Sequence, residues 1–327
     1  MLGLGIESTA HTFSCAILEK KNGTGKILSD IRKIYRPAEG EGIHPREASR
    51  HHIENSHNVL SDCLSEAKVK ITDLDIISYA AGPGLGPCLR VGAVVARSLA
   101  SYYKIPIYPV NHAIGHIELG KLLTGATNPL VLLVSGGHTM LLAFLNKQWR
   151  VFGETLDITL GQLLDQFGRS IGFASPCGKN IEELANTSSK YVTLPYSVKG
   201  NDVSFSGLLS ATKSIIKKSK ADACFSLQET AFAMISETVE RALSFTGKKE
   251  LMVVGGVAAN KRLSEMLKDV CKRHGARFFV VPLKFAGDCG SQIAWTGILE
   301  SQVKKGVLLQ NTFVTQSWRL DSVKIDY

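Results

Sequence analysis

One order of elements occurs twice in this chain, and that repetition restricts its possible folds more than any single motif. LGLGIE, TFSCAILEK and KILSDIRKIY, separated by short polar turns, predict three strands joined as hairpins. A helix is expected from His44 to about Lys68, with Pro45 at its start. DIISYAAG then predicts a strand, PGLGPCLR a glycine-rich turn, VGAVVARSLASYYK a helix and IPIYPV a strand. The pattern restarts near residue 130 with LVLLVSG, HTMLLAFL and QWRVFGET as three strands. Helices are expected at about 159–171, 179–186, 206–219 and 225–246. ELMVVGG reads as a strand, GVAAN as a glycine turn, KRLSEMLKDVCKRHG as a helix and RFFVVP as a strand, and a last long helix covers about 288–305. The first copy spans residues 2–110 and the second about 130–282, the signature of a diverged duplication.

Two similar α/β lobes around a nucleotide cleft make a duplicated actin-like ATPase (ASKHA) fold. The expected division is 1–116, with 300–327 packing back onto it, and 117–299 as a second lobe with a helical insertion. No apolar run reaches the roughly 20 residues of a membrane span. The start MLGLGIESTAHTF reads as a strand entering a turn, not a signal peptide. Seven scattered cysteines, none in CxxC, speak against a disulfide framework or zinc ribbon and for a reduced cytoplasm. A net charge of +9 favours polyanionic partners such as RNA. Part of that charge lies in ATKSIIKKSKADA, a lysine-rich helix face whose simplest reading is a solvated surface.

SGGHT (135–139) and its twin IESTAH (6–11) occupy the first hairpin turn of each copy. Glycines let backbone amides approach an anion, and Ser8 and Thr9 supply hydroxyls, although such turns often hold glycine for geometry alone. GGVAAN (255–260) opens a helix and can face an anion or a purine, or Asn260 can simply cap the helix. AGPGLGPC (81–88) lacks the GK[ST] of a P-loop and reads as a rigid turn. His112 and His116, in HAIGH, share one helix face and can bind a metal or be a solvated or buried face. The glutamate of a metalloprotease HExxH is missing. Asp288 in AGDCG is a candidate third ligand at the end of the second sheet, and equally a helix N-cap. His51, His52 and His57 read as polar surface, and Cys177 as a neutral buried thiol.

GIESTAHT, EGIHPREASRHH, GPGLGPCLRVG, VNHAIGH, LVSGGHT, FGETLDIT, DVSFSGL, FSLQETAF and VVGGVAAN together resemble the universal tRNA threonylcarbamoyltransferase family (TsaD/OSGEP), once described as O-sialoglycoprotein endopeptidases. The resemblance runs in order along the whole chain and looks closest to the archaeal and eukaryotic branch, the catalytic subunit of the KEOPS complex. It implies transfer of threonylcarbamoyl from threonylcarbamoyl-AMP to the adenosine beside the anticodon of tRNAs reading ANN codons. It implies one divalent metal, with iron favoured and zinc or magnesium possible, on His112, His116 and Asp288. It implies an ATP-type nucleotide site, with Leu133, Val134, Ser135, Gly136 and Gly137 as the phosphate turn, Asp165 and Glu182 on the ribose, and Gly178 and Asn260 beside the adenosine. Implied partners are tRNA, a small dimerising subunit, a small atypical kinase (fused C-terminally in some relatives) and that kinase's regulator. Three positions depart from the family pattern. Leu133 stands where archaeal relatives often have a ligating tyrosine, PCG (176–178) replaces PGG, and His138 replaces a frequent asparagine.

Glu7 and Ser8 are the candidates for direct catalysis. Rival readings are an actin-like ATPase or sugar kinase, for which Glu7 would be the acid, the metalloprotease of the old family name, and a non-catalytic RNA-binding subunit.

Overall fold

In LGLGIE the glycines alternate with Leu4 and Ile6, so strand β1 (Leu2–Glu7) has one face of side chains and one nearly bare face. The backbone of a helix fills the bare face. A Cβ on Gly5 would stand 2.3 Å from Gly290 O and 2.2 Å from Ala294 N. The computed structural model describes residues 1–38 and 41–327. They form two units, Met1–Arg36 with Ile43–Leu123 and Asp288–Tyr327, and Pro37–Gly42 with Thr124–Gly287.

The first unit contains β1, β2 (Thr12–Lys21), β3 (Thr24–Ile34), α1 (Pro45–Ala67), β4 (Ile76–Gly82), α2 (Gly86–Tyr103), β5 (Ile107–Asn111) and α3 (His112–Thr124). Its sheet order is β3-β2-β1-β4-β5, antiparallel across the hairpins and parallel from β1 to β5. Leu4, Ile6, Phe13 and Tyr79 pack with Val59 of α1 and Ala93 and Ala96 of α2. Ala16, Leu18, Ile76 and Tyr108 pack on the opposite side with Ala294, Trp295 and Ile298.

The second unit contains β6 (Leu130–Val134), β7 (Thr139–Leu145), β8 (Gln148–Glu154), α4 (Leu160–Ser170), α5 (Gly178–Ala185), β9 (Val198–Lys199), β10 (Asp202–Val203), α6 (Ser206–Ile215), α7 (Lys220–Thr246), β11 (Glu250–Val254), α8 (Lys261–His274), β12 (Arg277–Val280) and α9 (Leu283–Ala286). The chain then returns to the first unit in α10 (Gly290–Ser301). The second large sheet, β12-β11-β6-β7-β8, repeats the order and directions of the first. Leu132, Val134, Leu163, Phe167, Phe232 and Leu267 share one core. The duplicated α/β architecture is therefore present strand for strand.

Several boundaries differ from the sequence reading. The expected 117–299 lobe loses α10, because glycine-to-backbone contact binds that helix to β1, and the units divide at Leu123/Thr124 and Gly287/Asp288. Helix α2 starts at Gly86, inside the expected turn, since Pro87 suits a helix's first positions. ATKSIIKKSKADA is not one helix face: Ser219 accepts the Asp222 amide and starts α7 anew. Strands β9 and β10 are too short to leave a periodic signal. Among the described residues no helix is long and apolar enough to cross a membrane.

Candidate functional site

The histidine helix is fixed at its first turn. Asn111 Oδ1 accepts the amides of Ala113 at 3.0 Å and Ile114 at 3.2 Å, a side-chain N-cap. His112 and His116 then stand one turn apart, with ring centroids separated by 4.7 Å. Gly115 between them leaves room for Gln292 of α10, whose Cγ would lie 3.2 Å from a Cβ there.

Asp288 arrives from the other side, just before α10. The start of that helix is tied to the sheet: Ser291 N donates to Asp30 Oδ2 at 3.1 Å, and Gly290 N to Ser14 Oγ at 2.9 Å. Arg32 Nε donates to Asp30 Oδ1 at 2.6 Å. A carboxylate at a helix N-terminus also suits the helix dipole.

These constraints put Asp288 Oδ1 3.5 Å from His112 Nε2 and 3.3 Å from His116 Nε2. Ligand atoms of the three residues lie within 4.8 Å of one another. His116 Nε2 is buried and makes no hydrogen bond, its approach to Asp288 lacking hydrogen-bond alignment. Leaving such an atom unsatisfied costs about 1–3 kcal/mol, and a metal ion would use its lone pair. Two imidazoles and one carboxylate therefore fit a divalent metal, with coordination positions left for other ligands.

Burial opposes a charge on His112, but Glu7 and Asp288 outweigh it and raise His112 to about 9. Burial lowers His116, despite its contact with Asp288. Burial also opposes the charge on Asp288, yet His112 and His116 hold it well below the usual carboxylate range. A metal must displace the His112 proton. We expect metal affinity to rise about tenfold per pH unit towards the His112 value and then level, read by chelator competition. In the metal-free protein the sign is opposite. Protonated His112 stabilises the fold fully below its ordinary 6.5, and the contribution is lost as pH rises through about 9.

The other expected site residues lie in the second unit. Leu133 and Val134 are wholly buried in β6 and offer only backbone. Gly136 and Gly137 border open space. Ser135 Oγ accepts the amides of Gly137 at 3.2 Å and His138 at 3.0 Å. Gly255 and Gly161 bring two further segments onto this turn, since a Cβ on either would stand 2.3 Å from Val134 O or 2.5 Å from Ser135 O. One turn along α4, Asp165 Oδ1 accepts the Cys177 amide at 2.7 Å, beside Gly178. Glu182 Oε1 accepts the Lys261 amide at 2.8 Å, beside Asn260. The 133–137 turn, Asp165, Gly178, Glu182 and Asn260 are thus joined by contacts within one unit.

Asn260 itself is a helix cap. Its Oδ1 accepts Leu263 N at 3.0 Å and its Nδ2 donates to Gln228 Oε1 at 3.0 Å. Asn260→Ala should cost roughly 1–2 kcal/mol in a urea titration. Ser8 is wholly buried. Its hydroxyl is turned into the protein, 2.3 Å from where a Cβ on Gly92 of α2 would be, and meets no hydrogen-bond partner. His52 is buried, not surface: Nε2 meets Ala10 O at 3.0 Å, and burial lowers its pKa to about 4. Cys177 is a buried thiol raised by burial to about 11. Asp30 and Gln292 escape a sequence reading because their partners lie 261 and 285 positions away. The asparagine directly before the histidine helix carried the usual sequence mark of a cap.

The family described as TsaD, tRNA N6-adenosine threonylcarbamoyltransferase, matches residues 26–295. The chain is similar to the tRNA N6-adenosine threonylcarbamoyltransferase of Staphylothermus marinus, at 46% identity over 99% of both chains. It is also 46% identical to a probable bifunctional tRNA threonylcarbamoyladenosine biosynthesis protein of Methanosarcina barkeri, covering 99% of this chain and 59% of that protein. Among solved structures, HypF of T. kodakarensis superposes with a TM-score of 0.65 at 13% identity, over 91% of this chain and 47% of HypF, a likeness of fold alone.

Proposed function

The chain belongs to the tRNA N6-adenosine threonylcarbamoyltransferase family and transfers threonylcarbamoyl to adenosine N6 of tRNA; we propose that it does so from threonylcarbamoyl-AMP, with a divalent metal on His112, His116 and Asp288. The observation that carries the metal reading is the orphaned, buried His116 Nε2 facing Asp288 beside His112. The metal would supply Lewis acidity and orientation at the phosphate–carbamoyl end of the donor. Two imidazoles with a carboxylate favour iron or zinc over magnesium, which prefers all-oxygen sites.

The donor's nucleoside end is assigned to the second unit. Asp165 and Glu182 each accept a neighbouring amide, which fixes the carboxylates where ribose hydroxyls would meet them. The LVSGG turn and the amides around it receive phosphate, and the backbone at Gly178 and Asn260 borders the base. The tRNA adenosine N6 attacks the carbamoyl carbon, an N–C bond forms, the C–O bond to AMP breaks and the N6 proton passes to solvent or phosphate. AMP is a good leaving group, so positioning supplies most of the rate. The substrate adenosine is the one beside the anticodon in tRNAs reading ANN codons.

KEOPS-type partners complete the proposal: a small dimerising subunit, a small atypical kinase and its regulator. The bifunctional name of the methanogen relative supports a link to such a second activity. Buried thiols at all seven cysteines suit a reduced, cytoplasmic setting. The test supplies labelled threonylcarbamoyl-AMP, tRNA and partner subunits. Stoichiometric label on N6 with AMP released is the expected result, whereas steady ATP turnover without tRNA and without labelling would support an actin-like ATPase instead.

A further inference from the structure

Both carboxylate oxygens of Glu7 are already engaged. The residue ends β1 and is wholly buried. Oε1 accepts the Thr9 amide at 2.7 Å. Oε2 accepts Gln292 Nε2 at 3.1 Å and faces His112 Nδ1 at 2.8 Å. Gln292 Nε2 also lies 3.0 Å from Nδ1, but the shorter contact of Nδ1 is to a carboxylate oxygen, an acceptor, which places the hydrogen on Nδ1 and leaves Gln292 to donate to Oε2. Nε2, the nitrogen 3.5 Å from Asp288 Oδ1, is then the one whose hydrogen a metal would displace and whose lone pair it would take. Gln292 belongs to α10, so this one carboxylate joins β1 to both helices around the ligand cluster.

We propose that Glu7 is a positioning residue for the metal, holding His112 in its Nδ1–H form and strengthening it as a ligand, and does not act on substrate. The inference rests on the metal reading above. A base for water or for a hydroxyl needs an oxygen open to the reactant, and here neither oxygen is unoccupied. A carboxylate behind a ligating imidazole also sets the ring's orientation, which one metal–nitrogen bond leaves free to swivel.

The experiment titrates Co²⁺ and Zn²⁺ into metal-free wild type, Glu7→Gln and Glu7→Ala against a chromogenic chelator, and records the visible cobalt bands. Glu7→Ala should bind metal about 10- to 100-fold more weakly. Glu7→Gln should fall between, because its amide oxygen still accepts from Nδ1, and saturating metal should restore much of its transfer activity. Wild-type affinity and unchanged bands in Glu7→Gln, with transfer lost at saturating metal, would overturn the proposal and make Glu7 a catalytic residue. If neither variant folds, nitrogen NMR of zinc-loaded wild type decides. His112 protonated at Nδ1 and ligated at Nε2 is expected; ligation through Nδ1 overturns the proposal. A wild type that takes up no metal overturns the metal reading itself, a result distinct from equal binding by wild type and variants.

Discussion

His116→Ala should leave a folded protein that binds no catalytic metal and transfers threonylcarbamoyl about a thousandfold more slowly, a barrier increase of about 4 kcal/mol. His116 is the cleaner target of the histidine pair. Its removal takes from Asp288 only one of two imidazole neighbours, since His112 Nε2 stays 3.5 Å from the same oxygen. Removing His112 instead takes a partner from fully buried Glu7, and stability would fall together with activity. Metal content, transfer rate and a melting curve on the same preparation separate the two effects. In His116→Ala the first two should collapse and the third should move little.

Gly5→Ala should be among the most damaging additions of one methyl group. The new Cβ would meet backbone on both sides, 2.3 Å from Gly290 O and 2.2 Å from Ala294 N, with no side chain to swing away. Helix α10 must therefore move off β1. Overpacking of a filled core typically costs about 1–3 kcal/mol, and rigid backbone on both sides puts this site at the upper end. The displacement carries Asp288, two residues before Gly290, away from the histidines. Denaturant titration should show the stability loss, and chelator competition should show weaker metal binding in the fraction that folds. Gly136→Ala, which borders open space, is the control and should do neither.

The large features of this fold are visible in the sequence because they repeat. Two runs of hairpin, helix, strand, glycine turn, helix and strand predict both sheets, and the structure has them in matching order. HAIGH was legible for the same reason, since helical spacing is local. Asp288 was legible as a residue but not by its place: it belongs with the first unit, because glycine contacts between β1 and α10 outweigh its position in the chain. The burial of the Ser8 hydroxyl is not legible, because a turn's sequence does not say which way a hydroxyl points. A glycine on another helix, Gly92, decides that. The roles of Asp30, Gln292 and Glu7 depend on pairings across most of the chain, which no local pattern records. Resemblance supplied Asp165, Gly178 and Glu182, whose spacing carries no signal of its own.

The central claim is that transfer depends on one metal held by His112, His116 and Asp288. Its most direct test is to strip the metal from the protein and titrate it back while following label transfer to tRNA with partner subunits present. Activity rising linearly to a plateau at one equivalent per chain, with His116→Ala at background throughout, is the predicted result. Full transfer by the stripped protein under excess chelator would contradict it.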